Sequence, residues 1–165
     1  MPKTTSETMV FLGIDPGTTR TGFGVIAYSS GRFSPLAWGT LLNENRPDNL
    51  LVASIARLRE LTSEWQPVSA GVERLFFSQN KTTGMAVGEM RGAILMCFAD
   101  LSIPVFQFTP QQVKLCVSGH GEAHKQQVQA MVCNILKIKE RIKPDDAADA
   151  LALAICAALA HTKAT

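Results

Sequence analysis

The stretch MVFLGIDPGTTRTGFGVIAY, residues 9–28, decides the fold of this chain. Its first part, residues 9–15, is almost continuously apolar and ends at a Pro-Gly pair, which predicts a buried strand followed by a turn. Residues 21–28 and 32–42 form two further apolar runs, and the Ser-Ser-Gly at 29–31 between them indicates a hairpin. The chain is therefore predicted to begin with three strands in a meander.

Helices and strands alternate after this meander. The predicted elements are a helix capped by Asp48 or Asn49 and ending near Trp65, a strand over 70–76, a helix over 83–100, a strand over 104–108, and helices over 110–117, 123–136 and from Asp145 or Asp146 to about Ala160. This order predicts an α/β fold with a five-stranded mixed sheet and helices on both faces. Residues 1–8 are polar and predict a flexible tail, and residues 9–161 a single domain.

Composition narrows the class of protein. The 165 residues carry a net charge of only +2, too small by itself to indicate a nucleic-acid partner. The four cysteines form no CxxC pair, which argues against a zinc site and for a reducing compartment. The N-terminus lacks the apolar core of a signal peptide, and no uninterrupted apolar run reaches the ~18 residues needed to span a membrane. These features predict a cytoplasmic protein.

Two acidic residues stand in or at the end of predicted strands. Asp15 ends the first strand, and Glu73 interrupts the apolar run over 70–76. Burying such an acid is unfavourable unless it is paired or bound to a cation. For Glu73 alone, a surface position or an ion pair with Arg74 explains the sequence equally well.

Three more acids, Asp145, Asp146 and Asp149, open the last helix. The helix dipole favours acids in a first turn, so capping explains them when they are taken alone. Residues three or four apart share a helix face, so spacing allows either Asp145 or Asp146 to project together with Asp149.

Carboxylates from a first strand, a central strand and a terminal helix can converge at one end of a sheet. An all-oxygen cluster of this kind suits Mg²⁺ or Mn²⁺. Two such ions ~3.5–4 Å apart can clamp the attacking and leaving oxygens of a phosphodiester. The acids together therefore predict a metal-dependent nuclease.

Several stretches resemble, in the same order, the RuvC family of Holliday junction resolvases between residues 11 and 161. They are GIDPGTTRTGFGVI (13–26), ERLFFSQN (73–80), GEMRG (88–92), QQVK (111–114), AHKQQVQ (123–129) and DDAADALALA (145–154). The resemblance implies a ribonuclease H-like fold, a homodimer, and Mg²⁺-dependent paired nicks across a four-way DNA junction in recombination and repair. It also implies two ions per subunit, with Mn²⁺ able to substitute, and a partnership with a junction-bound branch-migration helicase complex.

The same resemblance assigns the acids. It aligns Asp15, Glu73, Asp146 and Asp149 with the metal-binding acids of the family, and so selects Asp146 over Asp145, a choice that spacing leaves open. Asp145 is then an additional acid beside the site.

DNA contacts are also implied by the resemblance. Phe76 matches an aromatic that stacks on a junction base, a contact worth ~1–3 kcal/mol. Lys114 and Lys125 match lysines near the scissile phosphate, where they would neutralise phosphate charge or stabilise the transition state. Arg20, Lys81 and Arg91 are further candidates for contacts with the DNA backbone.

The helix over 83–100 carries apolar residues on nearly all sides and so needs a second cover, which a two-fold partner would supply.

Three other functions fit part of the sequence. The turn Asp15-Pro16-Gly17-Thr18 also resembles the first phosphate loop of actin-like and sugar-kinase ATPases, which need a second domain to close over ATP. A resolvase-like RNA-processing nuclease would share the fold and acids without the Phe76 and lysine matches. A catalytically silent junction-binding module would not need all four acids.

Overall fold

A five-stranded mixed sheet organises the computed structural model, which describes residues 7–17, 19–42, 49–74 and 81–164, without the side chains of 81–83. The strands are β1 (Met9–Asp15), β2 (Gly22–Ser29), β3 (Arg32–Thr40), β4 (Ser69–Glu73) and β5 (Val105–Phe108), in the spatial order β3-β2-β1-β4-β5. The first three strands pair antiparallel, and β4 pairs parallel with both β1 and β5. The meander and the mixed sheet predicted from the sequence are confirmed.

Helices cover both faces of this sheet. They are α1 (Leu50–Trp65), α2 (Lys81–Asp100), α3 (Pro110–Ser118), α4 (Lys125–Leu136) and α5 (Asp145–Ala164). One core forms between the sheet and α1 with α2, and a second forms between the sheet and α3, α4 and α5. Residues 11–14 of β1 are all buried because neighbouring residues point into opposite cores, which is why this strand is almost continuously apolar.

Capping signals in the sequence place two helix starts. The Asn49 side chain accepts a hydrogen bond from the Val52 amide at 3.2 Å and begins α1. Thr109 and Gln112 form a reciprocal capping box at the start of α3, with Pro110 as its first residue. Both predicted starts are confirmed.

Several element boundaries differ from the predictions. The strand predicted over 70–76 ends at Glu73, where Arg74 leaves the sheet, and residues 75–80 lie outside the described part of the chain. The third strand ends at Thr40. Helix α4 begins at Lys125 because His124 keeps the extended backbone of an N-cap, and α5 continues to Ala164 because residues 161–164 contain no helix breaker.

Helix α5 packs closely against the middle of the sheet because glycines line the strands beneath it. A Cβ atom on Gly13 would lie 1.8 Å from the Ala150 carbonyl oxygen, and one on Gly71 would lie 2.4 Å from the Leu153 carbonyl oxygen. A Cβ on Gly22 would lie 2.1 Å from the carbonyl oxygen of Asp146. The lack of a side chain at these three glycines therefore lets α5, which carries Asp146 and Asp149, approach the sheet closely.

By length and composition alone, α5 is apolar enough to cross a membrane, with a mean hydropathy of 1.3 in its most apolar window. Most of that window, 61%, is buried inside the protein. Its packing on β1, β2 and β4 makes it the central core helix of the fold.

Candidate active site

A pocket of about 210 Å³ lies where β1 and β4 end. Its charged lining consists of Asp15, Glu73, Lys114, Lys125 and Asp149. The two strands are parallel neighbours paired as far as Ile14 and Val72, so the acid that follows each of these residues emerges at the same edge of the sheet. The convergence of Asp15 and Glu73 predicted from the sequence is present.

Strand alternation decides which way these two acids face. On β1, Phe11 packs into the α5 core and Gly13 lies beneath α5, so Asp15, two residues further on, faces α5 as well. On β4, Gly71 lies beneath α5, and Glu73 follows on the same face. Asp149 projects from α5 toward them and lines the same pocket.

Asp146 and Asp145 occupy different surroundings. Asp146 is one helical turn before Asp149, and its Oδ2 lies 3.5 Å from Nε of Arg20. Asp145 accepts a hydrogen bond from Arg141 at 3.2 Å, which holds its pKa below the usual value. Asp146, but not Asp145, is among the acids whose charge raises the pKa of Asp15. Both Asp145 and Asp146 raise the pKa of Asp149, and neither is part of the pocket lining, so Asp146 as the fourth member of the cluster stays a prediction.

The acids destabilise one another's charged forms. Burial raises the pKa of Asp15 to about 8, with further contributions from Asp149, Glu73 and Asp146. Burial also raises the pKa of Glu73, with Asp149 adding to the effect, and burial raises that of Asp149 despite the nearby Lys125. A site with this excess of negative charge is stabilised by added cations.

Both predicted lysines lie at the pocket. Lys125 Nζ is 3.0 Å from Asp149 Oδ2 and 3.9 Å from Asp145 Oδ2. Burial lowers the pKa of Lys125, but the hydrogen bond to Asp149 and the charges of Asp149, Asp145 and Asp15 together outweigh it, and the net shift is upward. Lys114 reaches the same pocket from α3.

The donor chemistry of the pocket fits a divalent cation. Within the part of the chain that the structure describes, no three acidic, histidine or cysteine side chains are arranged to hold one ion. Mg²⁺ is usually held by one or two carboxylates, with water and substrate phosphate completing its coordination. The all-oxygen donors of these acids therefore suit Mg²⁺ or Mn²⁺ better than a softer metal.

The remaining predicted DNA-binding residues are placed differently. Arg20 pairs with Asp146, and Arg91 donates from Nε to the Glu73 carbonyl oxygen at 2.9 Å and from Nη2 to the Gln107 side chain. Lys81 is the first residue of α2, but its side chain is not described, and Phe76 lies outside the described residues.

Two residues near the site escaped the sequence reasoning. Arg141 pairs with Asp145, and Lys125 lies between Asp145 and Asp149, so these ion pairs connect Arg141 to the site. Its position four residues before Asp145 was not a usable signal, because Arg141 lies in the loop before α5 and that spacing pairs charges only along a helix. Gln107 gave no signal, because only the folded sheet brings it to Arg91.

Comparison with known proteins identifies the family. The family model described as crossover junction endodeoxyribonuclease RuvC matches residues 11–157. The chain belongs to the RuvC family. The RuvC of Desulforamulus reducens is 46% identical over 90% of this chain and 92% of its own length, and that of Desulfitobacterium hafniense DCB-2 is 44% identical over 90% and 91%.

A solved structure supports the same conclusion. Thermus thermophilus RuvC in complex with a Holliday junction substrate superposes with a TM-score of 0.86 at 34% identity, covering 95% of this chain and 97% of that one. The family resemblance and the ribonuclease H-like fold expected from the sequence motifs are thereby confirmed.

The pKa shifts predict how stability without metal depends on pH. Because the folded-state pKa of Asp15 is about 8 against an ordinary value of 3.8, the folded protein holds an extra proton between these limits. Its stability should therefore fall as pH rises from about 4 to about 8. We expect Tm in EDTA to decrease over this range, and Mg²⁺ or Mn²⁺ to raise Tm most at pH 8, as measured by differential scanning fluorimetry.

Asp15→Asn should flatten this pH profile and reduce the Tm gain from metal. The matched control is Glu64→Gln on α1, an exposed acid outside the pocket. Equal pH slopes for wild type and Asp15→Asn would contradict the raised pKa of Asp15 in the folded protein.

Proposed function

We propose that this chain is a crossover junction endodeoxyribonuclease that resolves four-way DNA junctions by paired, symmetric, hydrolytic nicks in recombination and repair. The observation that carries the proposal is the meeting of Asp15, Glu73 and Asp149 with Lys114 and Lys125 in one pocket. The names of the relatives support it, since they are crossover junction endodeoxyribonucleases over almost the same length. The ATPase and silent-module alternatives are not favoured.

Asp15, Glu73, Asp146 and Asp149 are the residues that would hold Mg²⁺, with Mn²⁺ as a substitute and two ions in each subunit. When bound, such a pair of ions activates water and stabilises the departing 3′ oxygen. Lys125, held by Asp149 at 3.0 Å, and Lys114 on α3 would neutralise the scissile phosphate. Both lysines therefore belong to the proposed catalytic set.

The proposal includes DNA contacts and partners. Phe76 is assigned to stacking on a junction base, and Arg20 and Lys81 to the DNA backbone. The family resemblance also names Arg91 as a candidate for a backbone contact. A branch-migration helicase complex would deliver the junction in the cytoplasm, and residues 9–161 would act as one nuclease domain.

A two-fold dimer would provide the two active sites that paired nicks need. An apolar groove of about 280 Å³ runs between α1 and α2, where Leu51, Val52, Ile55, Ala93 and Met96 contribute to its wall. Met96 is 69% exposed and Val52 58% exposed, although both lie on otherwise well-packed helices. Covering these side chains with a second copy would remove them from water.

Met96→Glu should therefore disrupt the dimer, because association would bury an unpaired charge. By multi-angle light scattering we expect the wild type at twice the 17.9 kDa of one chain and the variant at a single chain mass. The control is Met131→Glu, an exposed methionine on α4 across the sheet, which should stay dimeric. A wild type of single-chain mass at micromolar concentration would contradict the dimer.

The central test uses a synthetic four-way junction with and without Mg²⁺, and a linear duplex of the same sequence as control. We expect symmetric nicks in opposite strands of the junction, only with metal, and none in the duplex. Binding without nicking in either condition would favour the silent module. ATP hydrolysis without nicking would favour the ATPase.

A further inference from the structure

Arg91 links helix α2 to the ends of two strands. Its Nε donates to the carbonyl oxygen of Glu73 at 2.9 Å, and its Nη2 donates to the side-chain oxygen of Gln107. Glu73 ends β4, and Gln107 lies on the adjacent β5, paired with Val72. One guanidinium therefore joins three elements at the point where β4 delivers Glu73 to the pocket.

The end of β4 needs such support. The ladder between β1 and β4 ends at the pair Ile14–Val72, one residue before Glu73. On the other side, the Arg74 amide donates to the Phe108 carbonyl oxygen at 2.7 Å. The hydrogen bond from Arg91 gives the Glu73 carbonyl a fixed donor just where the strand pairing on one side stops.

Arg91 approaches from the face opposite the pocket. Val72 and the buried part of α2 share the α1–α2 core, whereas Glu73 faces α5 on the other side of the sheet. The contact of Arg91 is with the main chain of Glu73, so the carboxylate stays free to face Asp15 and Asp149. A guanidinium suits this task because its donors form a planar fork that can hold two acceptors at a fixed angle.

We propose that Arg91 is a positioning residue that fixes the end of β4, and through it the Glu73 carboxylate, rather than a residue that binds the DNA backbone. The proposal rests on the proposed nuclease function for its catalytic consequence. Its structural part, the immobilisation of the β4 end, stands independently.

The first experiment compares Arg91→Met, Arg91→Lys and Gln107→Leu in single-turnover cleavage and junction binding. A misplaced catalytic group costs about 10²-fold in rate for roughly 1 Å, so we expect a loss of about that size for Arg91→Met. Arg91→Lys should lose nearly as much, since a lysine cannot reproduce the fork, while junction Kd changes by less than about 2-fold in both. Gln107→Leu should slow cleavage less, and its effect should not add to that of Arg91→Met.

A DNA-backbone role predicts a different pattern. Arg91→Lys would then cleave like the wild type, and Arg91→Met would bind the junction more weakly. The slope of log binding constant against log salt concentration would become less steep by about 0.9 for each lost phosphate contact. That pattern would overturn the proposal. The control is Arg57→Met, which removes an arginine paired with Glu60 at 2.8 Å on α1 and should change neither rate nor affinity.

A second measurement does not depend on activity. Amide hydrogen exchange at Arg74 should be faster in Arg91→Met and Arg91→Lys than in the wild type, while exchange in β1 stays unchanged. Unaltered exchange at Arg74 would overturn the positioning role. If the wild type nicks no junction, the proposed function fails, and hydrogen exchange still decides the role of Arg91.

Discussion

We expect Asp146→Asn to abolish nicking of a four-way junction and Asp145→Asn to leave the nicking rate within a few-fold of the wild type. The charge of Asp146 raises the pKa of Asp15, while the Asp145 carboxylate accepts a hydrogen bond from Arg141 at 3.2 Å. Losing a metal-binding carboxylate removes several kcal/mol of transition-state stabilisation. At 1.36 kcal/mol for each tenfold, this corresponds to a loss of about 10³-fold or more.

Binding and folding should survive the Asp146 substitution. Removing a negative charge beside the pocket lowers the repulsion of phosphate, so junction Kd should be unchanged or smaller. Asparagine keeps the size of the side chain, and the loss of an acid near a helix N-terminus costs only ~0.3–1 kcal/mol. The measurement is cleavage of a labelled junction at saturating enzyme, with Kd and Tm taken in parallel. If Asp145→Asn were inactive and Asp146→Asn active, Asp145 and not Asp146 would be the acid that binds metal.

The strands and Asp15 at the end of the first one could be predicted because they follow from local rules, whereas Glu73 was predicted inside a strand over 70–76 and instead ends β4. Asp15 and Glu73 each occupy the position after a buried strand residue, and parallel strands end at the same edge of a sheet. The choice between Asp145 and Asp146 did not follow from spacing. It depended on family resemblance, and the structure shows the physical difference as two separate arginine partners, Arg141 and Arg20.

Sequence patterns did not predict contacts between segments that are distant along the chain. The family resemblance made Arg91 a candidate for a contact with the DNA backbone. Its hydrogen bond to the Glu73 carbonyl depends on how α2 crosses β4 and β5, which periodicity does not encode. The strand glycines are a second case, since a glycine inside a strand indicates a bulge as readily as a close helix.

Gly13→Ala should be among the most destabilising single substitutions in this chain. The added Cβ would lie 1.8 Å from the Ala150 carbonyl oxygen and 2.5 Å from the Ala154 amide nitrogen. Both atoms belong to the backbone of α5, so no side-chain rotation can relieve the contact and the helix must move. Overpacking of a core typically costs 1–3 kcal/mol and occasionally more, and we expect about 3 kcal/mol here. For a domain of this size, that corresponds to a Tm lower by roughly 10 °C.

Gly84→Ala on α2 is the matched control, because its added Cβ meets nothing within 4 Å. It should raise stability by about 0.4–1 kcal/mol, since alanine has fewer unfolded conformations to lose. If Gly13→Ala folds, the displaced α5 should also move Asp149 away from Asp15 and slow cleavage well beyond the effect of Gly84→Ala. A Gly13→Ala variant with the Tm and cleavage rate of the wild type would mean that the glycines do not hold α5 at the sheet. The placement of Asp146 and Asp149 would then need another cause.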